Sequence, residues 1–486
     1  GILTFMPKDF SLGRLFSPSN VAIAGASLNP VSGGYQFTRF LIDQGYKGKL
    51  YPVNPTLNEI FGFKVYPRIT EIPESGVDYV ISCVPAESVL SLLEDCGKKN
   101  VKLVHLFTAR LKETGRRKET KLQNEILEKA RRLGIRILGP NCMGIYYPKL
   151  GLSFNYELPI ESGPVGGFFQ SGGGAGEFVR YAALRGVRFS KVISYGNASD
   201  IDGAELLNYF ASDSETKVIA SYIEGVKDGR RFAEALALAA KQKPVIILKG
   251  GRGKAGAKLA LSHTASLAGS IDVWKAALKQ YGAIMVSSFQ ELIDQVVAFT
   301  FLPAITGKRV IIAGSGGGKS MVSADVWEEE GFELPEFSTE FRRKLREKAP
   351  RLWDWIRNPM DFSLFQGGLM ADANLSEWLS DEEGYNLFVA NLTQDDPLPD
   401  DIWEKALAPD FVQSVLALKR NGKPLICVIE TGEIGLDEMK SWKWRAITET
   451  RRQVIDQGLA VFPSTQSAAQ AIRRFVDYWV WRGNEN

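Results

Sequence analysis

Val21-Ala-Ile-Ala-Gly-Ala-Ser27, followed by Gly33-Gly34 and a helix-like stretch over 35–44, is the part of the chain from which the fold is read. A short apolar run ending in small residues is what a buried parallel strand feeding a tight turn requires. Further strand patterns follow at 50–54, 77–84, 102–106 and 135–138, with helical patterns at 87–93 and 121–133. Strand and helix alternating in this way imply an α/β fold, a doubly wound parallel sheet with ligand at the C-terminal ends of its strands. A nicotinamide dinucleotide is the default ligand of such a sheet, but two details argue against it. Gly25 is followed by Ala26 and Ser27, so G-x-G-x-x-G is absent, and the second strand ends in Asn54-Pro55 where an acid for the ribose would stand. The turn still offers backbone N–H groups at a helix N-terminus, which suits a phosphate-bearing nucleotide other than NAD.

Bulk properties bound the rest. The 486 residues suggest roughly three domains, and the boundaries are expected at 1–150, 151–303 and 304–486. A hydrophobic fraction of 45% and a charged fraction of 24% are ordinary for a globular protein. The net charge of +3 gives no global attraction to nucleic acid or membrane. Four cysteines without a CxxC pair and two histidines cannot build an ordinary structural zinc site, so no metal site is expected, and a reducing, cytoplasmic setting fits best. There is no apolar run of about 18 residues to span a bilayer. Gly1 to Met6 lacks the basic start of a signal peptide. The chain opens on Gly1 rather than Met, so its natural start is expected upstream.

In the second region, a strand at 165–170 leads into Ser171-Gly-Gly-Gly-Ala-Gly-Glu177 and a helix over 178–184. Unpaired N–H groups and the helix dipole make Ser171, Gly172, Gly173 and Gly174 a candidate phosphate cradle, although the Gly-Lys-Ser/Thr of a P-loop is missing. Strands at 191–194, 217–223 and 244–248 follow, with Glu224 at the ligand-binding end of one of them. The stretch from Lys249 to Ser270 is glycine-rich and basic, and it reads as a mobile, solvated loop. It carries His263; the only other histidine, His105, ends a strand pattern and reads as structural. A scarce imidazole on such a loop is suited to carrying a phosphoryl group between two centres, and an incidental surface histidine is the plainer alternative. Glu224 on the same rim would fix the imidazole tautomer and leave the other nitrogen nucleophilic.

The third region opens with a strand at 309–313, then Gly314-Ser-Gly-Gly-Gly-Lys-Ser320 and a helix to about 331. The run is one residue short of a Walker A loop, so a second anion-binding helix start is expected there. Strands at 386–390, 424–429 and 460–462 and an aromatic-rich helix over 464–481 complete a flavodoxin-like sheet. Segments 325–355 and 392–410 are acidic, polar or irregular and are expected to be solvated loops, with a subunit interface as the alternative.

Four motifs now stand in order: Val21 to Ser27, Gly48-Lys-Leu-Tyr-Pro-Val-Asn-Pro55, Cys83-Val-Pro-Ala86 and Gly139-Pro-Asn-Cys-Met-Gly144. Together they resemble the coenzyme A-binding domain of the NDP-forming (ADP-forming) acyl-CoA synthetases, in the succinyl-CoA synthetase superfamily. The resemblance implies that Gly25, Ala26, Ser27, Asn54, Val84, Pro85 and Ala86 form the coenzyme site, with Asn141 and Cys142 near the thioester end. The family has Lys after the Asn-Pro pair and Thr56 stands here, so either Lys47 or Lys49 substitutes or affinity is reduced. Cys142 by itself reads as a small buried residue, beside a nucleophile reading.

Ser262-His-Thr-Ala-Ser-Leu-Ala-Gly269 is similar to the family's phosphohistidine loop, Glu224 in Tyr-Ile-Glu-Gly to its orienting glutamate, and Gln170 to Gly174 to the turn before its phosphate-facing helix. Gly316, Gly317, Gly318 and Lys319 match the second such helix, and Asn358-Pro-Met-Asp361 a further segment. The implied architecture is a Rossmann-like CoA-binding domain followed by two flavodoxin-like domains, as in the family's α subunit. The implied reaction interconverts acyl-CoA, phosphate and ADP with carboxylic acid, CoA and ATP through an acyl phosphate and phosphorylated His263. The chain has no ATP-grasp segment, so a partner β subunit, separate or originally fused, is expected to hold the nucleotide with Mg²⁺. A non-catalytic CoA-binding regulatory or scaffold protein is the alternative.

Overall fold

β1 (Asn20–Ala24) is buried at all five positions, as a strand covered on both faces must be. In the computed structural model, which describes residues 11–485 except 265–269, 315–316, 352, 355, 361–372 and 394–397, β1 lies inside a five-stranded parallel sheet. For 262–264, 373–376 and 485 only the backbone is described. The sheet runs β2 (Lys49–Val53), β1, β5 (Tyr79–Ser82), β6 (Leu103–Leu106), β7 (Arg136–Leu138). β3 (Glu59–Ile60) and β4 (Phe63–Lys64) form a small antiparallel hairpin, and one parallel bridge, Val53 to Tyr66, extends the sheet beyond β2. Strand order reverses at β1, so the crevice between the ends of β1 and β5 is the topological switch point.

A second sheet runs β13 (Ile284–Val286), β12 (Val245–Lys249), β11 (Val218–Ile223), β9 (Ser162–Phe169), β10 (Phe189–Ser194), β8 (Gly144–Tyr146). All pairs are parallel except β8 on β10. The edge strand β8 is too short for periodicity to show it, and it joins this sheet although it precedes residue 150. Here the order reverses at β9, and the helix Gly172–Leu184 starts directly beyond that strand.

Arg136 fastens the two sheets together. Its guanidinium reaches Asp200 at 3.0 Å and Glu205 at 2.7 Å with its side chain only 10% exposed, and Ser199 donates to the Gly139 carbonyl at 2.7 Å. Both sheets belong to one compact unit, Gly1–Leu292.

The segment expected to be a loop around His263 is partly helical: residues Lys254–Thr264 form an α-helix. Ala255, Ala257, Lys258, Leu259, Ala260 and Leu261 are all good helix formers, and their summed propensity outweighs the single glycine inside, Gly256. The expected solvation is kept, with Leu259 67% and Leu261 52% exposed.

The other unit, Ile293–Asn486, holds a third parallel sheet in the order β14 (Val310–Ala313), β15 (Leu387–Thr393), β16 (Leu425–Glu430), β17 (Ala460–Phe462). The helix Gly317–Glu329 follows β14, and the helix Thr465–Glu485 follows β17. The expectation of solvated loops at 325–355 and 392–410 is corrected. Helix Thr339–Lys348 buries Phe341 and Leu345, spaced one turn apart among charges. Trp403 and Leu407 are buried in a π-helical turn, with the Trp403 indole donating to the Thr393 carbonyl at 3.1 Å. Sparse apolar residues at helical spacing were masked by their charged neighbours. Among the described residues no helix is long and apolar enough to cross a membrane.

Candidate active site

One cavity of about 1350 Å³ opens where the two sheets of the first unit meet. Its volume exceeds the ~300–1,000 Å³ of a typical small-ligand pocket. The end of β5 contributes Val84, Pro85 and Ala86, the loop after β7 contributes Asn141 and Cys142, and the turn after β9 contributes Gln170, Ser171, Gly172 and Gly173. The candidate thioester end of the coenzyme site and the first phosphate cradle thus share one space.

Each of these residues is held by its own chemistry. Asn141 has φ +58°, and its amide donates to the Thr108 carbonyl at 3.0 Å. Cys142 is 4% exposed with its sulfur 3.7 Å from the Leu138 carbonyl, and burial pushes its thiol well above the usual range. That environment suits the small buried residue, because a nucleophilic cysteine needs a depressed pKa. His105 is fully buried with Nε2 2.8 Å from the Cys142 carbonyl; burial lowers its pKa to about 4, partly offset by that carbonyl. It braces the loop as a neutral ring.

Ser171 caps the helix Gly172–Leu184, its hydroxyl accepting from the Gly174 amide at 3.0 Å. The Gly172 and Gly173 amides lie in the first turn, where a helix supplies no carbonyl partner, and both residues line the cavity. A side chain at Gly173 would meet open space. Gly174 lies outside the lining and packs on Phe289.

Gly25, Ala26, Ser27 and Asn54 are not part of the cavity lining. The Gly25 and Ala26 amides both donate to the Val53 carbonyl at 3.0 Å, so they are spent within the protein. Asn54 braces the turn, donating to the Ala26 carbonyl at 2.8 Å and accepting from the Thr56 and Leu57 amides. Nor do Lys47 and Lys49 reach the lining, and Lys49 pairs with Glu74 at 2.6 Å. The cations that do line it are Arg110, Lys118 and Lys121, which no motif pointed to.

Glu224 sits just past β11 and is 5% exposed. The Gln170 side-chain oxygen accepts from the Glu224 amide at 2.6 Å and the Gly225 amide at 3.1 Å. The Tyr222 hydroxyl donates to the Glu224 carboxylate at 3.2 Å. Tyr222 lies on β11 and Glu224 one residue beyond its end, two apart along the chain, and that spacing is the signal that could have paired them. Gly250 packs close beside them: a Cβ there would come within 2.6 Å of the Tyr222 hydroxyl, which would have to shift.

The backbone of His263 lies in the helix Lys254–Thr264, which packs against the 3-10 turn Lys112–Thr114 next to the cavity-lining Arg110. The His263 side chain is outside the described residues. In the second unit, Gly317 starts its helix, and Gly318 and Lys319 line a separate cavity of about 400 Å³, with the Lys319 ammonium 3.4 Å from the Thr393 hydroxyl. Gly316 and Asp361 lie outside the described residues. Among the described residues no group of three or more His, Cys, Asp or Glu is arranged to hold a metal ion.

Comparison with known proteins bears on this geometry. Residues 19–148 match the family described as a CoA binding domain, and residues 162–299 the succinyl-CoA ligase like flavodoxin domain. The α subunit of acetate–CoA ligase (ADP-forming) I of Pyrococcus furiosus is 38% identical over 78% of this chain and 82% of its own length. The chain belongs to the ADP-forming acyl-CoA ligases of α-subunit type. A second α subunit of these ligases, that of acetate–CoA ligase (ADP-forming) II from the same organism, is 35% identical over 87% of this chain and 91% of its own. A solved structure also matches: the dinucleotide-forming acetyl-coenzyme A synthetase 1 of Ca. Korarchaeum cryptofilum, in complex with phosphate and ADP, superposes with a TM-score of 0.80 at 29% identity, over 97% of this chain and 98% of that one.

Proposed function

We propose that this chain is the α subunit of an ADP-forming acyl-CoA ligase, converting acyl-CoA, phosphate and ADP reversibly to carboxylic acid, CoA and ATP through phosphorylated His263. The observation that carries the reading is the shared cavity, which unites Val84 to Ala86, Asn141 and Cys142 with the helix start at Ser171 to Gly173. A thioester reaching the Asn141–Cys142 end meets phosphate at the Gly172 and Gly173 amides. A phosphate oxygen attacks the thioester carbonyl, the C–S bond breaks, and CoA leaves as the thiolate. Then a His263 ring nitrogen attacks phosphorus, the P–O bond to the acyl group breaks, and the carboxylate leaves with the electron pair. Glu224, fixed by Gln170 and Tyr222, holds the proton on the other ring nitrogen. The assistance is chiefly electrostatic, from oriented amides aimed at developing charge.

The coenzyme is CoA, a reading supported by the match of residues 19–148 to the CoA binding domain. The phosphoryl group passes to ADP on an ATP-grasp partner, separate or fused, which also brings Mg²⁺. Gly317 to Lys319 form a further phosphate site in the second unit. Acetate is the acid that the named relatives suggest, and the setting is cytoplasmic. The test is incubation of the chain with acetyl-CoA, phosphate and Mg²⁺, followed by intact mass and acid treatment. An acid-labile phosphate that is lost in His263→Ala supports the mechanism. No adduct under saturating substrate overturns it.

A further inference from the structure

Lys249 closes β12, a strand buried at all five positions, and is itself only 1% exposed. An ammonium in such a place is costly unless its protons are taken up. Its Nζ donates to the Glu224 carbonyl at 2.7 Å and to the Gly250 carbonyl, and the Trp274 ring centroid lies 5.3 Å away. The ammonium therefore faces two carbonyls and an aromatic face, a cage that a cation fills well.

The two carbonyls are significant. One belongs to the residue carrying the orienting carboxylate. The other belongs to the first residue after β12, at the root of the segment leading into the helix Lys254–Thr264. The ladder between β11 and β12 ends at the pair Ile223 and Lys249. Beyond it, the Gly250 amide donates to the Ile223 carbonyl at 2.9 Å, and the Lys249 ammonium then ties the next residues together.

We propose that Lys249 is a positioning residue for phosphoryl transfer: its ammonium pins the Glu224 peptide to the root of the His263 segment, and transfer is fast only while that ammonium is charged. This rests on the roles given above to His263 and Glu224. Burial lowers the Lys249 pKa to about 8; the Glu224 charge opposes this and the nearby Arg252 adds to it. Tyr222, hydrogen-bonded to the Glu224 carboxylate, and Tyr195, which also feels the Glu224 charge, are further titratable groups here, and burial holds both hydroxyls above the usual range. As pH rises through about 8 the ammonium becomes an amine, and one of its donors is lost. The unfolded chain keeps that proton up to the ordinary lysine range, so over this window the group's contribution to stability rises with pH. A fall in transfer over the same window is thus opposite in sign to unfolding.

The test measures the initial rate of acid-labile phosphate formation from acetyl-CoA, phosphate and Mg²⁺ across a range that brackets both lysine values. Wild type is expected to slow as pH rises through about 8. Lys249→Met is expected to be at least about tenfold slower at neutral pH, without the alkaline limb; one decade of rate is about 1.4 kcal/mol. Its CoA affinity, measured calorimetrically, is expected to be unchanged, because Lys249 does not line the cavity. Lys249→Arg, whose guanidinium stays charged, is expected to recover rate and hold it into alkali. A Lys249→Met rate within about twofold of wild type, with the same alkaline limb, overturns the proposal while leaving the role of His263 intact. Should Lys249→Met not fold, the wild-type profile decides: a rate that stays flat through the window overturns it. Labelling that survives His263→Ala overturns the underlying reading instead.

Discussion

Replacing Gln170 by Ala tests whether the orienting carboxylate is built from the sheet below it. Gln170 is 1% exposed, and its side chain makes at least three hydrogen bonds: two accepted, from the Glu224 and Gly225 amides, and one donated to the Gly196 carbonyl at 3.3 Å. Truncation leaves two buried amides without that acceptor, at about 1–3 kcal/mol each. Because Gln170 lines the large cavity, water can take up part of the loss. The low end, about 2–3 kcal/mol, is therefore expected, and it corresponds to a fall of about 3–5 °C in the melting temperature of the first unit. Glu224 also loses the bond that fixes its peptide, and a misplacement on the order of 1 Å costs up to about a hundredfold in rate. Labelling of His263 from acetyl-CoA and phosphate is expected to slow by about ten- to a hundredfold. Gln170→Glu keeps an acceptor oxygen but sets a negative charge beside Glu224, so it is expected to lose less stability yet remain slow. If Gln170→Ala melts within about 1 °C of wild type and labels at the wild-type rate, the support assigned to Gln170 does not exist.

Two other perturbations probe the same unit. A Cβ at Gly34 would lie 1.8 Å from the Gly25 carbonyl oxygen, a backbone atom that can yield only if the whole turn after β1 moves. Gly34→Ala is expected to cost about 1–3 kcal/mol and to weaken CoA binding in a calorimetric titration with NAD⁺ as the control; undiminished CoA affinity would refute a role for this turn. Burial acts to raise the Glu215 pKa, but Lys149 at 2.9 Å and Lys191 at 3.3 Å outweigh it and hold the carboxyl below its usual range. Since the folded pKa lies below the unfolded one, the stabilisation is present above the ordinary carboxylate range and is lost as pH falls through the lowered value. Glu215→Gln is expected to melt lower than wild type at neutral pH by about 1 kcal/mol, with the difference vanishing in acid. A difference that persisted in acid would show that packing, and not charge, is responsible.

The pattern of apolar runs ending in small residues determined the alternation of strand and helix, and with it the parallel sheets and the edge at which ligands bind. This was local information: a buried strand and the tight turn after it leave their mark on contiguous residues, as at Val21 to Ser27. The glycine turns at Ser171 and Gly317 were legible for the same reason, because a helix start needs its cap and small residues next to one another. Tertiary structure decided what those local pieces are used for. It took the Gly25 and Ala26 amides for the Val53 carbonyl and gave Asn54 to the turn, so the cavity draws instead on Arg110, Lys118 and Lys121. It buried Trp403 among polar neighbours. It also placed Gln170, Tyr222 and Lys249 around Glu224. These three come from the ends of three strands that neighbour one another only in the folded sheet, whose order reverses at β9. No window of sequence contains that neighbourhood, because hydrogen bonds between strand ends depend on pairing and register, which are settled when the sheet assembles.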